Sequence, residues 1–143
     1  MRFLYKMNII VTGGSGFVGL PIVKKLLQEG HNLLLITRDK NSFNLEDVKE
    51  FKILEADLSR IFEHKEAISQ FSPEQCIHIA WEGIPDYGYE MSKQNLDNSL
   101  NFFSLLAEVG CKSIICTGSC WEYGKVNGEI DEKEYKAKRE ALN

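Results

Sequence analysis

The stretch Thr12-Gly13-Gly14-Ser15-Gly16-Phe17-Val18-Gly19 decides how this chain reads. Before it stands a short β-branched run, Asn8-Ile9-Ile10-Val11, which reads as a strand buried on both faces. After it, Val18, Ile22 and Leu26 recur at i, i+4 and i+8 with Val23 and Leu27 alongside, a helix that Gly30 stops. Pro21 predicts a slightly distorted first turn. Strand, glycine-rich turn and helix in this order make a mechanism. The helix N-terminus stabilises negative charge, and glycines let the backbone pass close to a diphosphate. Gly13 permits the tight turn, Gly16 the close approach, and Gly19 the contact between helix and sheet. The bland alternative, a merely flexible loop, does not need an apolar strand before it and an amphipathic helix after it.

Outward from this unit the pattern repeats. Leu33 to Ile36 reads as the second strand, Phe51 to Leu54 as the third, Cys76 to Ile79 as the fourth and Ser113 to Cys116 as the fifth, with helical segments between most of them. From about Glu90 to Val109, Leu96, Leu100, Phe103 and Ala107 form what reads as a core-facing stripe. Strands separated by helices imply right-handed crossovers and a parallel sheet. The fold class is therefore α/β, a Rossmann-type doubly wound parallel sheet of order 3-2-1-4-5, lacking the last strands and a substrate lobe. Ligands of such sheets bind at the switch point between the first and fourth strands. Residues 1–6 read as an N-terminal appendage, 7–124 as the nucleotide-binding domain, and 125–143 as a charged tail, either a surface helix or frayed.

Composition is consistent with one compact domain. The 143 residues are 43% hydrophobic, and a chain of this size buries roughly 70% of its unfolded surface. Seventeen basic and 21 acidic residues leave a formal charge of −4 and a pI near 5.4, with no basic stripe for a nucleic acid. The opening residues are too few and too polar for a signal peptide, and no stretch approaches the ~20 apolar residues a bilayer span needs. A cytoplasmic protein without a membrane partner is expected. Cys76, Cys111, Cys116 and Cys120 contain no Cys-x-x-Cys pair, and His31, His64 and His78 stand apart from them, so no metal site is expected.

At this point the chain resembles a family, the NAD-dependent epimerase/dehydratases, or extended short-chain dehydrogenase/reductases, which act mainly on nucleotide sugars. Thr12 to Gly19 is similar to its T-G-x-x-G-x-x-G turn, and Ala56-Asp57-Leu58 to its acidic adenine-contacting corner after the third strand. Ile77-His78-Ile79-Ala80 resembles its H-x-A step, Asn95 falls where an Asn lies in the following helix, and Thr117 to Gly124 resembles its S-S-x-x-x-Y-G segment. The resemblance implies a bound dinucleotide contacted by Gly13, Gly16, Phe17, Val18, Arg38, Asp57, Leu58, Ala80 and Asn95, a nucleotide-sugar substrate, and a catalytic hydroxyl at Ser119. Each match has a plainer alternative. Asp57 also suits a cap for a helix starting near Ser59. Asn95 also suits a polar helix surface. Trp121 and Tyr123 also suit plain packing. His78 reads as a satisfied core histidine whose backbone matters more than its imidazole.

NAD-using relatives place a carboxylate at the end of the second strand to hold the adenosine ribose. Here that position is Thr37, and Arg38 follows; a guanidinium suits a 2′-phosphate, so NADP is favoured over NAD. Asp39, one residue on, keeps NAD open. The resemblance also implies a Tyr-x-x-x-Lys pair after Ser119. The pair Tyr89/Lys93 comes before it and reads as a decoy, whereas Tyr135 is followed at that spacing by Arg139. Two readings stay open. One is the cofactor-binding part of a nucleotide-sugar oxidoreductase, epimerase or dehydratase, truncated and inactive alone. The other is a dinucleotide-binding or regulatory module completed by a partner chain. The open sheet edge of either favours a homodimer.

Overall fold

The computed structural model describes residues 5–43, 51–119 and 128. Its five strands are β1 (Asn8–Thr12), β2 (Asn32–Thr37), β3 (Phe51–Glu55), β4 (Gln75–His78) and β5 (Ser113–Cys116). They form one parallel sheet of order β3-β2-β1-β4-β5, as the strand and helix pattern predicts. Helix α1 (Gly19–Gln28) follows β1, α2 (Lys65–Phe71) precedes β4, and α3 (Tyr89–Glu108) joins β4 to β5. A 3₁₀ segment, Leu58–His64, leads into α2.

Alternation along β1 and β2 divides the core between two faces. Ile9, Val11, Leu33 and Leu35 pack under α1 through Val23, Leu26 and Leu27. Ile10, Leu34, Ile36 and Cys76 face α2 and α3 through Ile68, Phe71, Phe102, Leu105 and Leu106. Both faces being covered, β1 and β2 are almost wholly apolar. Burial also pushes the Cys76 thiol pKa up, so this cysteine is inert packing.

Helix boundaries correct three expectations. Helix α1 begins at Gly19, with Val18 as its N-cap, so Val18 is 52% exposed and does not join the apolar stripe. Pro21 accordingly lies within the first turn, where a missing N–H costs little, and the helix is one unbroken element. On α3 only Phe103 of the expected stripe packs against the core, half-buried beside Phe102 and His78. Leu96 and Leu100 are 56% and 54% exposed, and Ala107 is exposed too, whereas Asn95, Phe102, Leu105 and Leu106 are buried. The buried face lies roughly a third of a turn from the predicted one. Its polar members, Asn95 and the half-buried Ser99, are hydrogen-bonded inside the protein, so hydrophobicity alone does not mark it. The true face predicts a clear contrast in urea unfolding: Phe102→Ala costs about 3–5 kcal/mol, and Leu96→Ala changes stability by no more than about 0.5 kcal/mol.

Candidate dinucleotide cleft

The C-terminal ends of β1, β2 and β4 open onto a cleft of about 440 Å³. Gly13, Gly16, Phe17, Val18, Arg38, Asp57, Leu58, Ala80 and Asn95 all line it. A second groove, of about 530 Å³, lies at the other end of the sheet beside the first residues of β1, β2 and β3. It is away from the glycine turn, on the edge where parallel sheets do not bind ligands.

The glycine turn is shaped by close backbone contacts. Gly13 has φ +70°, and a Cβ there would stand 2.7 Å from the Ala80 nitrogen. The turn thus packs directly on the chain leaving β4, and any side chain would force them apart. At Gly19 a Cβ would fall 2.1 Å from the Gly13 carbonyl oxygen. Gly19 therefore serves the packing of α1 against the turn itself, not against the sheet as the sequence suggests. Gly16 differs: it is exposed, and a Cβ there meets only the Gly13 carbonyl oxygen at 3.4 Å. No side chain caps α1 at Val18 and no acid sits in its first turn, which leaves the N-terminal end of the helix facing the cleft without a competing carboxylate of its own.

Beneath the turn runs a directional hydrogen-bond chain. β1 and β4 pair Thr12 with His78, and the Thr12 hydroxyl lies 2.7 Å from His78 Nδ1. His78 Nε2 lies 3.0 Å from the Ser99 hydroxyl, which itself donates to the Asn95 carbonyl at 2.7 Å. Since Ser99 spends its proton on that carbonyl, its oxygen accepts from Nε2–H. Nδ1 then accepts from Thr12, and the Thr12 oxygen accepts from the Ala80 N–H at 3.3 Å. The neutral imidazole protonated on Nε2 satisfies every link. Burial lowers the His78 pKa in the same sense. The imidazole, expected to matter less than the backbone, ties the glycine turn to α3. The His78 carbonyl is also engaged, accepting from Thr117 N at 3.1 Å.

Asn95 occupies its amide fully inside the protein. Its Oδ1 accepts from Glu82 N at 2.8 Å, and its Nδ2 donates to the carbonyls of Glu82 at 3.0 Å and Met91 at 2.9 Å. It fixes the loop after β4 at the cleft wall. Asp57 realises the capping alternative: Oδ1 accepts from Ser59 N at 2.8 Å and from the Ser59 hydroxyl at 2.6 Å. These bonds hold its carboxyl below the usual range against the opposing effect of burial, with a lesser contribution from Arg38 and Arg60. Arg38 is ion-paired with Glu82 across the cleft, a partner that sequence spacing gave no reason to suspect. Ser99 was missed as well, though it lies one helical turn after Asn95.

Ser119 is exposed, three residues beyond β5, and is not among the residues that line the cleft. Tyr123, Trp121, Tyr135 and Arg139 lie outside the described residues. Tyr89 is exposed at the start of α3, and Lys93 pairs with Asp97. Among the described residues no three His, Cys, Asp or Glu side chains are grouped to hold a metal ion, and no helix is long and apolar enough to cross a membrane.

A five-stranded parallel sheet with a glycine turn at its switch point defines the class of Rossmann-type α/β proteins. Within it, the chain belongs to the NAD dependent epimerase/dehydratase family, which matches residues 9–141. It is 29% identical over 125 residues to the dTDP-6-deoxy-L-talose 4-dehydrogenase (NAD(+)) of Aggregatibacter actinomycetemcomitans, covering 87% of this chain and 46% of that protein. It is 28% identical over 131 residues to a UDP-glucose 4-epimerase of Klebsiella pneumoniae, covering 82% of this chain and 93% of that sequence. Among solved structures, the Bordetella bronchiseptica enzyme WbmG in complex with NAD and UDP superposes with a TM-score of 0.72 at 24% identity, over 84% of this chain and 40% of that one. The Stenotrophomonas maltophila UDP-glucose-4-epimerase with bound NAD and formylated UDP-arabinopyranose gives 0.74 at 18% identity, over 95% and 47%. These structural likenesses establish the fold. The chain spans 46% of the talose dehydrogenase and 40% and 47% of the two solved chains, about half or less of each.

The His78 chain carries a pH dependence of definite sign. A lowered folded-state pKa means that the unfolded chain binds the proton better, so this stabilisation is complete above the ordinary histidine value of about 6.5 and is lost as pH falls toward the folded pKa. Urea unfolding at pH 7.5 and pH 5 should show it. His78→Gln should lower stability at pH 7.5 by about 1–3 kcal/mol and flatten the decline between the two pH values.

Proposed function

We propose that this chain is the cofactor-holding part of a nucleotide-sugar oxidoreductase, epimerase or dehydratase, binding NAD(P) with its diphosphate against Gly13 to Gly19. The observation that carries the reading is the glycine turn itself. Gly13 is pressed onto Ala80, while the uncapped start of α1 opens into the same cleft as the ends of β2 and β4. Ordered backbone N–H groups at a helix start suit a diphosphate. The adenosine would lie toward Arg38, Asp57 and Leu58, where Thr37 is uncharged and the guanidinium supports acceptance of a 2′-phosphate and hence NADP. When bound, the nicotinamide supplies a hydride acceptor or donor.

Ser119 is proposed as the hydroxyl that holds the reacting sugar oxygen. It follows β5, whose end is tied to β4 by the Thr117 N–H on the His78 carbonyl, which keeps it at the sheet edge that also bears the cleft. Neither tyrosine after it is followed by lysine at the i+4 position.

Two outcomes test this. Gly16 has intramolecular room for a side chain but stands where the diphosphate must approach, so Gly16→Val should retain the thermal transition of the wild type and lose NAD(P)H binding in a nicotinamide fluorescence titration. Unchanged affinity in the folded variant would sink the assignment. Separately, these 143 residues incubated with NAD, NADP and UDP-, GDP- and dTDP-sugars should give product near background. A positioned general acid or base contributes about 10²–10⁴-fold, and the tyrosine-lysine pair that does this in the family is not found after Ser119. Product analysis is the measurement, because an epimerase returns its hydride and leaves nicotinamide absorbance unchanged. Turnover abolished by Tyr135→Phe would instead give the role to Tyr135 and Arg139, and turnover abolished by Tyr89→Phe would give it to the pair on α3.

A further inference from the structure

We infer that Glu82 sets the preference of this chain between the 2′-phosphorylated and unphosphorylated dinucleotide, acting through Arg38. The inference rests on the reading of the cleft as a dinucleotide site. Arg38 follows the last residue of β2, and Glu82 lies in the loop after β4; both line the cleft, and their side chains join as an ion pair from one wall to the other. The two partners are held very differently. Glu82 is anchored on both backbone polar groups by Asn95, which is only 7% exposed, and Gln94 Nε2 approaches its second carboxylate oxygen at 3.4 Å. The Arg38 side chain is 63% exposed. A carboxylate on an anchored backbone therefore meets an exposed guanidinium, and the ion pair ties the Arg38 side chain to the wall that carries Glu82.

Two other acids near Arg38 have partners of their own. Asp57 spends Oδ1 on capping through Ser59, and Asp39 spends Oδ1 on the N–H of Asn41 at 2.8 Å. Asp39 was the rival candidate for the ribose, and it is committed to its own 3₁₀ turn, Lys40–Ser42.

A phosphate on the ribose needs the donors and charge of the guanidinium. In this chain the nearest carboxylate already neutralises that charge, and it also repels a phosphate drawn toward Arg38. An unphosphorylated ribose makes no such demand. Glu82 is thus a brake on the 2′-phosphate that the Thr37-Arg38 pair would otherwise favour. Removing its charge releases Arg38 while leaving the backbone anchor to Asn95 in place.

The test is a four-way comparison of wild type, Glu82→Gln, Arg38→Ala and the double variant, each titrated with NADH and NADPH by nicotinamide fluorescence and checked for folding by circular dichroism. The expected result is a rise of roughly two- to fivefold in the NADPH-to-NADH affinity ratio for Glu82→Gln, the size of effect a solvent-screened charge exerts. In the Arg38→Ala background that rise should disappear. An unchanged ratio in Glu82→Gln overturns the inference. So does an equal rise without Arg38, because the carboxylate would then act on the phosphate directly. If the glutamine variant does not fold, Glu82→Ala carries the same expectation. A wild-type chain that binds neither dinucleotide overturns the reading of the cleft itself, an outcome separate from any change in ratio.

Discussion

The contact between the glycine turn and the chain leaving β4 governs the rest of the molecule. Gly13 sits so close to the Ile79–Ala80 backbone that no side chain fits between them. Such an approach holds only if the two strands carry it in fixed register, and β1 and β4 do so through their pairing from Ile9 to Thr12. The Thr12 hydroxyl then bridges the strands a second time, donating to His78 and accepting from the Ala80 N–H. A cleft formed at this seam inherits its precision from backbone geometry. Packing on both sheet faces supplies the rigidity that keeps it there.

The polar face of α3 extends this arrangement outward. Burying Asn95, Ser99 and His78 without partners would cost about 1–3 kcal/mol for each unsatisfied group. Here each is satisfied by another member of the set or by adjacent backbone, and among the described residues no buried side-chain polar atom is left without a partner. The face the helix buries therefore mixes polar Asn95 and Ser99 with apolar Phe102, Leu105 and Leu106. It also determines where residues 80–82 run, because Asn95 grips Glu82 by both backbone groups.

That mixture bears on what was legible in the sequence. The five strands and their order were readable, since β-branched runs broken by glycine and helical spacers leave few topologies. The glycine turn was readable because backbone conformation constrains residue type: only glycine suits Gly13 and Gly19. The α3 face was misread because periodicity weighs hydrophobicity, and Leu96 and Leu100 outweigh Asn95 and Ser99 on any such scale. The link between Arg38 and Glu82 was invisible for a different reason. They are 44 positions apart in sequence and meet only because β2 and β4 flank β1 at the same edge of the sheet. No local pattern encodes a contact made by topology.

On the dinucleotide reading proposed above, the cleft divides its work between two kinds of chemistry. At the diphosphate end, recognition rests on backbone N–H groups and on glycines that make room for them, and few substitutions there are neutral because the space itself is the binding feature. At the adenosine end it rests on the exposed Arg38 and the half-buried Glu82 and Asp57, charges that solvent still screens in part. Such charges are exchangeable without disturbing the sheet, because none of them is part of either core cluster. The fold can therefore hold the common part of a dinucleotide rigidly while its choice of ribose substituent changes by one or two surface residues. Asn95 is where the two meet: a buried amide of the rigid set that fixes the backbone from which the adjustable carboxylate projects.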